Sequence, residues 1–135
     1  MALKLKKTVK QLCEEADKEI VTIDAAEAIR LKNDPNVMIV DIRDVRELQR
    51  EGRVPGAMHA PRGMLEFWVD PESPYYKEEF GSGKRFVFFC AGGLRSALAT
   101  QQLQRMGLEP VCHIRGGFRA WKEAGGAVEM PEKKA

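Results

Sequence analysis

Histidine, cysteine and surplus charge of one sign are all scarce in this chain, and each shortage removes a class of function. The 135 residues hold two histidines, His59 and His113, and three cysteines, Cys13, Cys90 and Cys112. No CxxC pair occurs, and no cysteine or histidine stands at zinc-ligand spacing, so neither a metal site nor a dithiol motif is indicated. Three thiols are an odd set, which argues against a disulfide framework and makes a reducing cytoplasm the simplest location. The 22 basic residues are nearly matched by 20 acidic ones, a net charge of +2, so no nucleic-acid partner and no membrane surface is implied. No apolar run is long enough to span a bilayer. The basic N-terminus lacks the continuous apolar core of a signal peptide.

What is present is a chain of single-domain length with short apolar segments separated by helical patterns. Leu5, Val9, Leu12 and Ala16 share one face of an expected N-terminal helix, with Cys13 beside that face and half exposed. Ile20-Val21-Thr22 reads as a strand, and Asp24 as a cap with Glu27 completing a capping box. Val37 to Asp41 is continuously apolar until its last residue, as a buried parallel strand should be. Asp44 to Arg50 reads as a short helix stopped by Gly52, and Ala57 to Ala60 as a short strand. Pro61 to Gly83 is a long aromatic connection in which Met64 to Trp68 forms a helix. The plainer and preferred reading is that its aromatics cap the sheet; the sharper alternative puts Arg62 and Trp68 at the border of the crevice. Val111 to Ile114 is the last strand and Gly117 to Lys122 begins the last helix. The alternation of strands and helices predicts an α/β fold, a mostly parallel sheet with helices on both faces.

The most informative stretch is Cys90-Ala91-Gly92-Gly93-Leu94-Arg95-Ser96. The apolar strand Arg85 to Phe89 precedes it, and Ala99, Leu103 and Met106 follow at helical spacing until Gly107. A cysteine therefore ends a strand, and a glycine-bearing loop opens a helix, where open α/β sheets place their ligand crevice. Loop N–H groups and the helix N-terminus both favour an anion such as a thiolate or persulfide. A preference of about 3 kcal/mol for the thiolate is within reach, since a helix N-terminus supplies up to ~2 kcal/mol and each hydrogen bond to a charged group ~1.5–3 kcal/mol. No histidine is required. Taken alone, a cysteine ending a core strand is an ordinary packing residue; the combination with two glycines, an arginine and a helix start favours chemistry. Arg95 could steer an anionic donor or hold the loop's shape. Asp41 and Arg43 are expected to support the loop rather than react; Arg43, Arg46, Glu47 and Glu51 are also near enough in sequence to form surface ion pairs. Cys112 and Trp121 are read as core, and His113 as a sheet-face residue rather than a base.

These residues resemble the single-domain rhodaneses, sulfurtransferases that carry sulfur as a cysteine persulfide. Cys90 to Ser96 is similar to the family's active-site loop, and Val37 to Arg43 to its strand ending in Asp-x-Arg. Glu51 to Pro61 is similar to its Gly-His-Ile-Pro-Gly-Ala segment, with Arg53 where histidine is usual. Gly116-Gly117-Phe118-Arg119-Ala120-Trp121 is similar to its C-terminal Gly-Gly-x-x-x-Trp. The resemblance implies a five-stranded sheet in the order 1-5-4-2-3 and a domain over 19–126. An amphipathic extension over 1–18, able to mediate a homodimer, precedes it, and a C-terminal tail over 127–135 follows, frayed from Pro131. It also implies that Cys90 is the nucleophile and Ala91, Gly92, Gly93, Leu94, Arg95 and Ser96 bind the transferred sulfur, without metal or cofactor. The donor would be a small sulfur compound such as thiosulfate, and the acceptor a thiol, cyanide or a protein. Three other readings stay open: a phosphatase or arsenate reductase of related fold, a non-catalytic sulfur-binding module, and a redox sensor. Phosphatases of that kind carry Cys-x5-Arg, one residue longer than Cys90 to Arg95.

Overall fold

The computed structural model describes residues 3–131, and within them the apolar segments align as one parallel sheet. Its strands are β1 (Val21–Ile23), β2 (Val37–Asp41), β3 (Met58–His59), β4 (Arg85–Phe89) and β5 (Val111–Ile114), in the spatial order β1-β5-β4-β2-β3. All four strand pairings are parallel, with Val40 beside Phe88 and Val87 beside Cys112 in register. The helices are α1 (Val9–Glu19), α2 (Ala25–Leu31), α3 (Val45–Glu51), α4 (Leu65–Val69), α5 (Leu94–Met106) and α6 (Gly117–Glu123).

Alternation along each strand splits the core in two. Ile39, Val87, Phe89, Cys112 and Ile114 face Ala28, Phe118 and Trp121 of α2 and α6. Val40, Phe86, Phe88 and Val111 face Leu65, Ala99 and Leu103 of α4 and α5. Helices thus cover both faces, the three-layer arrangement that α/β alternation requires. Trp121 is fully buried as expected, and its ring N–H donates to the Ala127 carbonyl at 2.9 Å.

Local chemistry departs from the sequence reading in three places. In α1 the buried residues are Cys13 and Ala16, packed on α5, while Leu5, Val9 and Leu12 are exposed and Leu5 lies outside the helix. Small side chains let two helices approach closely, which is why the Cys13–Ala16 pair faces inward. Asp24 stands at the N-cap of α2, yet its side chain makes no capping bond; it pairs with Arg115 at 3.3 Å, and Glu27 pairs with Arg30. The true capping boxes are Thr8 with Gln11 and Asp44 with Glu47. Within the tail over 127–135, Glu129 is tied to Arg53 by two backbone hydrogen bonds at 2.9 Å and an ion pair; of the end expected to fray from Pro131, residues 132–135 lie outside the described residues.

The third departure is the burial of Arg43: it keeps the expected ion pair with Glu51, Nη1 to carboxylate at 3.9 Å, but its side chain is fully enclosed rather than at the surface. Its guanidinium meets the Asp41 carboxylate at 2.7 Å, donates to the Gly52 carbonyl at 2.8 Å and lies 4.0 Å over the Phe118 ring. One terminal nitrogen, Nη1, lacks a hydrogen-bond partner. A buried pair of this kind costs about as much to desolvate as its attraction returns, but removing one partner leaves an orphaned charge. Asp41→Asn is expected to lower unfolding stability by about 3–5 kcal/mol. Urea unfolding of the purified variant measures this, and a loss below about 1 kcal/mol would mean that Arg43 finds another counter-charge.

Candidate active site

The cysteine loop is built by two helix N-termini meeting at the carboxyl edge of the sheet. Helix α5 begins after Gly93, whose φ of 103° is a left-handed conformation that glycine adopts without steric cost. Gly93 has no side chain to cap the helix. The Cys90 sulfur takes that role, accepting from the Gly93 N–H at 3.1 Å and from the Ser96 N–H at 3.4 Å. Ser96 is the third residue of α5, the position whose N–H a capping side chain ordinarily satisfies. A sulfur held there sits in the positive field of the helix end.

The second N-terminus belongs to α6. Phe118 donates its N–H to the Cys90 carbonyl at 2.8 Å, and Arg119 donates to the Ala91 carbonyl at 3.2 Å. This approach works only because residue 117 is glycine: its φ is 58°, and a Cβ there would collide with the Cys90 carbonyl and lie 2.9 Å from that of Ala91. The Arg43 guanidinium stacks under Phe118, so the Asp41–Arg43 pair supports the loop through α6 rather than by touching the sulfur.

Around the sulfur the side chains divide by role. Arg95 is half exposed and binds Glu47 of α3 through both terminal nitrogens at 2.9 Å. That pairing raises the Arg95 pKa, with a smaller contribution from nearby Cys90, and lowers the Glu47 pKa. Leu94 points outward, 61% exposed. Cys13 sits behind the loop, its sulfur 3.8 Å from the Leu94 carbonyl, buried rather than half exposed. Burial, Asp17 and Cys90 together raise its pKa. Cys112 is a core residue, its thiol pKa raised by burial. Arg62 pairs with Glu66 at 2.8 Å, and Trp68 packs on the α4 side of the core with Lys77 over its ring. The capping role thus describes Trp68 better than the crevice border does. Among the described residues no group of three or more His, Cys, Asp or Glu is arranged to hold a metal.

His113, read from the sequence as a sheet-face residue rather than a base, stands against the cysteine loop. Its Nδ1 lies 2.9 Å from the Ser96 hydroxyl, which is 3.5 Å from the Cys90 sulfur. Its Nε2 lies 3.1 Å from the Thr22 hydroxyl and 3.8 Å from Asp17. His113 alternates away from Cys112, and the face it occupies turns toward Ser96 of α5. A cavity of about 390 Å³ lies beyond it, lined by Asp17, Thr22, Gly92, Gly93, His113 and Arg115 among others.

Comparison with known proteins now fixes the class. The rhodanese-like domain family model matches residues 24–124, and the chain belongs to that family. A sulfurtransferase of Allochromatium vinosum is 30% identical over 76% of this chain and 88% of its own length. A mouse thiosulfate sulfurtransferase/rhodanese-like domain-containing protein is 27% identical over 67% of this chain, which spans only 61% of it. A Rhodopseudomonas palustris protein of unknown function, described as a possible tyrosine phosphatase, superposes with a TM-score of 0.92 at 52% identity. That alignment covers 96% of this chain and 99% of the other. Sulfurtransferase-named relatives and the cysteine loop together support sulfur transfer in general. No helix among the described residues is long and apolar enough to cross a membrane.

Burial pushes the His113 pKa below its ordinary value, with Arg115 acting in the same direction and Asp17 opposing. The folded chain therefore binds this proton more weakly than the unfolded chain, and acid favours unfolding. The His113 contribution is fully present above the unfolded value near 6.5 and is lost as pH falls through the folded value. The expected outcome is a Tm that falls between about pH 7 and 5.5 and a flatter profile for His113→Gln. Identical slopes in the two proteins would contradict this account.

Proposed function

We propose that this protein is a cytoplasmic sulfurtransferase that carries sulfane sulfur as a persulfide on Cys90, with thiosulfate as a competent donor. The observation that carries the reading is the pair of N–H groups, from Gly93 and Ser96, converging on the Cys90 sulfur. The Cys90 thiolate attacks the outer sulfur of thiosulfate. The sulfur–sulfur bond of the donor breaks, its electron pair leaves with sulfite, and Cys90 keeps the transferred sulfur. A nucleophilic acceptor (cyanide, a thiol or a protein cysteine) then attacks that outer sulfur, and the Cys90 thiolate departs. Residues Ala91 to Ser96 form the cradle, and Asp41 and Arg43 support it from beneath.

Loop length favours sulfur over phosphate. Four residues separate Cys90 from Arg95, and Arg95 is committed to Glu47. A phosphoryl group needs a wider ring of donors and a free arginine facing it. Hydrolysis of aryl phosphates is accordingly expected at background, and strong Cys90-dependent phosphatase activity would replace the present reading.

Kinetics supply the test. Cys90→Ser keeps the size of the side chain but cannot hold a transferable sulfur, so thiosulfate:cyanide turnover should fall by about a thousandfold or more. Wild-type turnover in the folded variant would remove Cys90 from the mechanism. Arg95→Ala leaves Glu47 as an unpaired anion beside the loop. It should raise KM for thiosulfate several-fold while kcat stays within about threefold; an unchanged KM would make Arg95 purely structural.

A further inference from the structure

Cys90 is 1% exposed, so near neutral pH the proton that must leave its thiol before attack meets little bulk water to take it. The side chains around it supply a path. The thiol can donate to the Ser96 hydroxyl oxygen 3.5 Å away, and that hydroxyl can donate to His113 Nδ1 at 2.9 Å. With Nδ1 as acceptor, Nε2 carries the ring proton and donates to the Thr22 hydroxyl at 3.1 Å. This single arrangement satisfies every donor in the chain. Ser96 and His113 are themselves buried, at 0% and 3% exposure, so the contact is not an incidental surface one. At the far end the imidazole lines the cavity shared by Asp17, Thr22 and Arg115.

We propose that His113 is a positioning residue for sulfur transfer, drawing the Cys90 thiol proton away through the Ser96 hydroxyl and passing it to water in the cavity between α1 and the loop. The step balances as a two-proton shift. The S–H bond breaks with its electron pair remaining on sulfur, Ser96 receives that proton, and the proton Ser96 held moves to Nδ1. The products are a thiolate and an imidazolium, and no oxidant or reductant takes part. Ser96 then donates its hydroxyl to the thiolate while Nδ1–H donates to Ser96, so the same atoms hold the charged state. The imidazolium then releases its Nε2 proton to water in the cavity, with the Asp17 carboxylate 3.8 Å away favouring the transient charge.

The charged and titratable groups facing this imidazole come from every neighbouring element. They are Asp17 of α1, Arg115 beyond β5, and Cys90 through Ser96 of α5; Thr22 of β1 is neutral. Burial and Arg115 disfavour a lasting imidazolium and Asp17 partly offsets them, which suits a station that accepts a proton and releases it. Helix α1, which supplies Asp17, lies outside the residues matched by the family model. The outlet of the relay is therefore completed by the N-terminal extension.

Because the proposal rests on the sulfurtransferase reading, its test uses one readout that does not. The rate of Cys90 alkylation by iodoacetamide, followed by peptide mass, is measured against pH beside thiosulfate:cyanide kinetics. Ser96→Ala keeps the backbone N–H but removes the hydroxyl; His113→Asn keeps an acceptor for Ser96 but takes no proton. Both variants should lose about tenfold to a hundredfold in kcat and in alkylation rate near pH 6.5, and recover by about pH 9, where solvent base replaces the relay. KM for thiosulfate should stay within about twofold, and Ser96→Thr should restore the profile. The double variant should be no slower than either single one, as links in series require. Circular dichroism establishes that each variant is folded. Wild-type pH profiles in both folded variants, or a loss that persists unchanged at pH 9, would overturn the relay. If wild-type protein forms no persulfide while the alkylation shift appears, the sulfurtransferase reading fails and the relay stands.

Discussion

The rest of the structure hangs on a close backbone approach at one point on the sheet edge. Helix α6 brings its first N–H groups onto the carbonyls of Cys90 and Ala91, and no side chain fits at Gly117 where they pass. This contact fixes the carbonyl side of the loop, so its N–H side is free to turn inward onto the Cys90 sulfur. Gly93, in a left-handed conformation, makes that turn and starts α5. Two helix termini thus hold a single sulfur, one through the backbone of Cys90 and one through its side chain. A preorganised field of this kind stabilises an anion without reorganising when the charge appears.

Supporting that contact takes a charge buried at some cost. Arg43 is sealed beneath Phe118 with Asp41 as its partner and one nitrogen unsatisfied. Its cation–π contact and its bond to the Gly52 carbonyl tie β2, α3 and α6 into one block. Glu47 extends the same block to the loop through Arg95. The sequence Asp-x-Arg at the end of β2 and Gly-Gly at the start of α6 are therefore two halves of one device, although Gly117 stands 74 positions after Arg43.

Much of this was legible in the residues. Strand runs, the helix after Gly93, the Gly107 stop and the buried Cys112 all follow from local pattern, because periodicity and glycine report directly on backbone geometry. The family resemblance added the strand order, which no local pattern encodes. Long-range side-chain pairing was not legible. Arg43 looks like its exposed neighbours in composition, and only the fold places it under Phe118. Leu5, Val9 and Leu12 make a more apolar stripe than Cys13 and Ala16, yet the helix buries the smaller pair because close packing on α5 decides its rotation. His113 alternates correctly on β5, but its neighbour Ser96 lies 17 positions earlier on another element.

The proposed sulfurtransferase activity requires Cys90 to hold a transferable sulfur. Intact mass of the purified chain after incubation with thiosulfate tests it directly. The account predicts a gain of one sulfur atom, located on the Cys90 peptide and removed by cyanide. A chain whose Cys90 alkylates readily but gains no sulfur would contradict it.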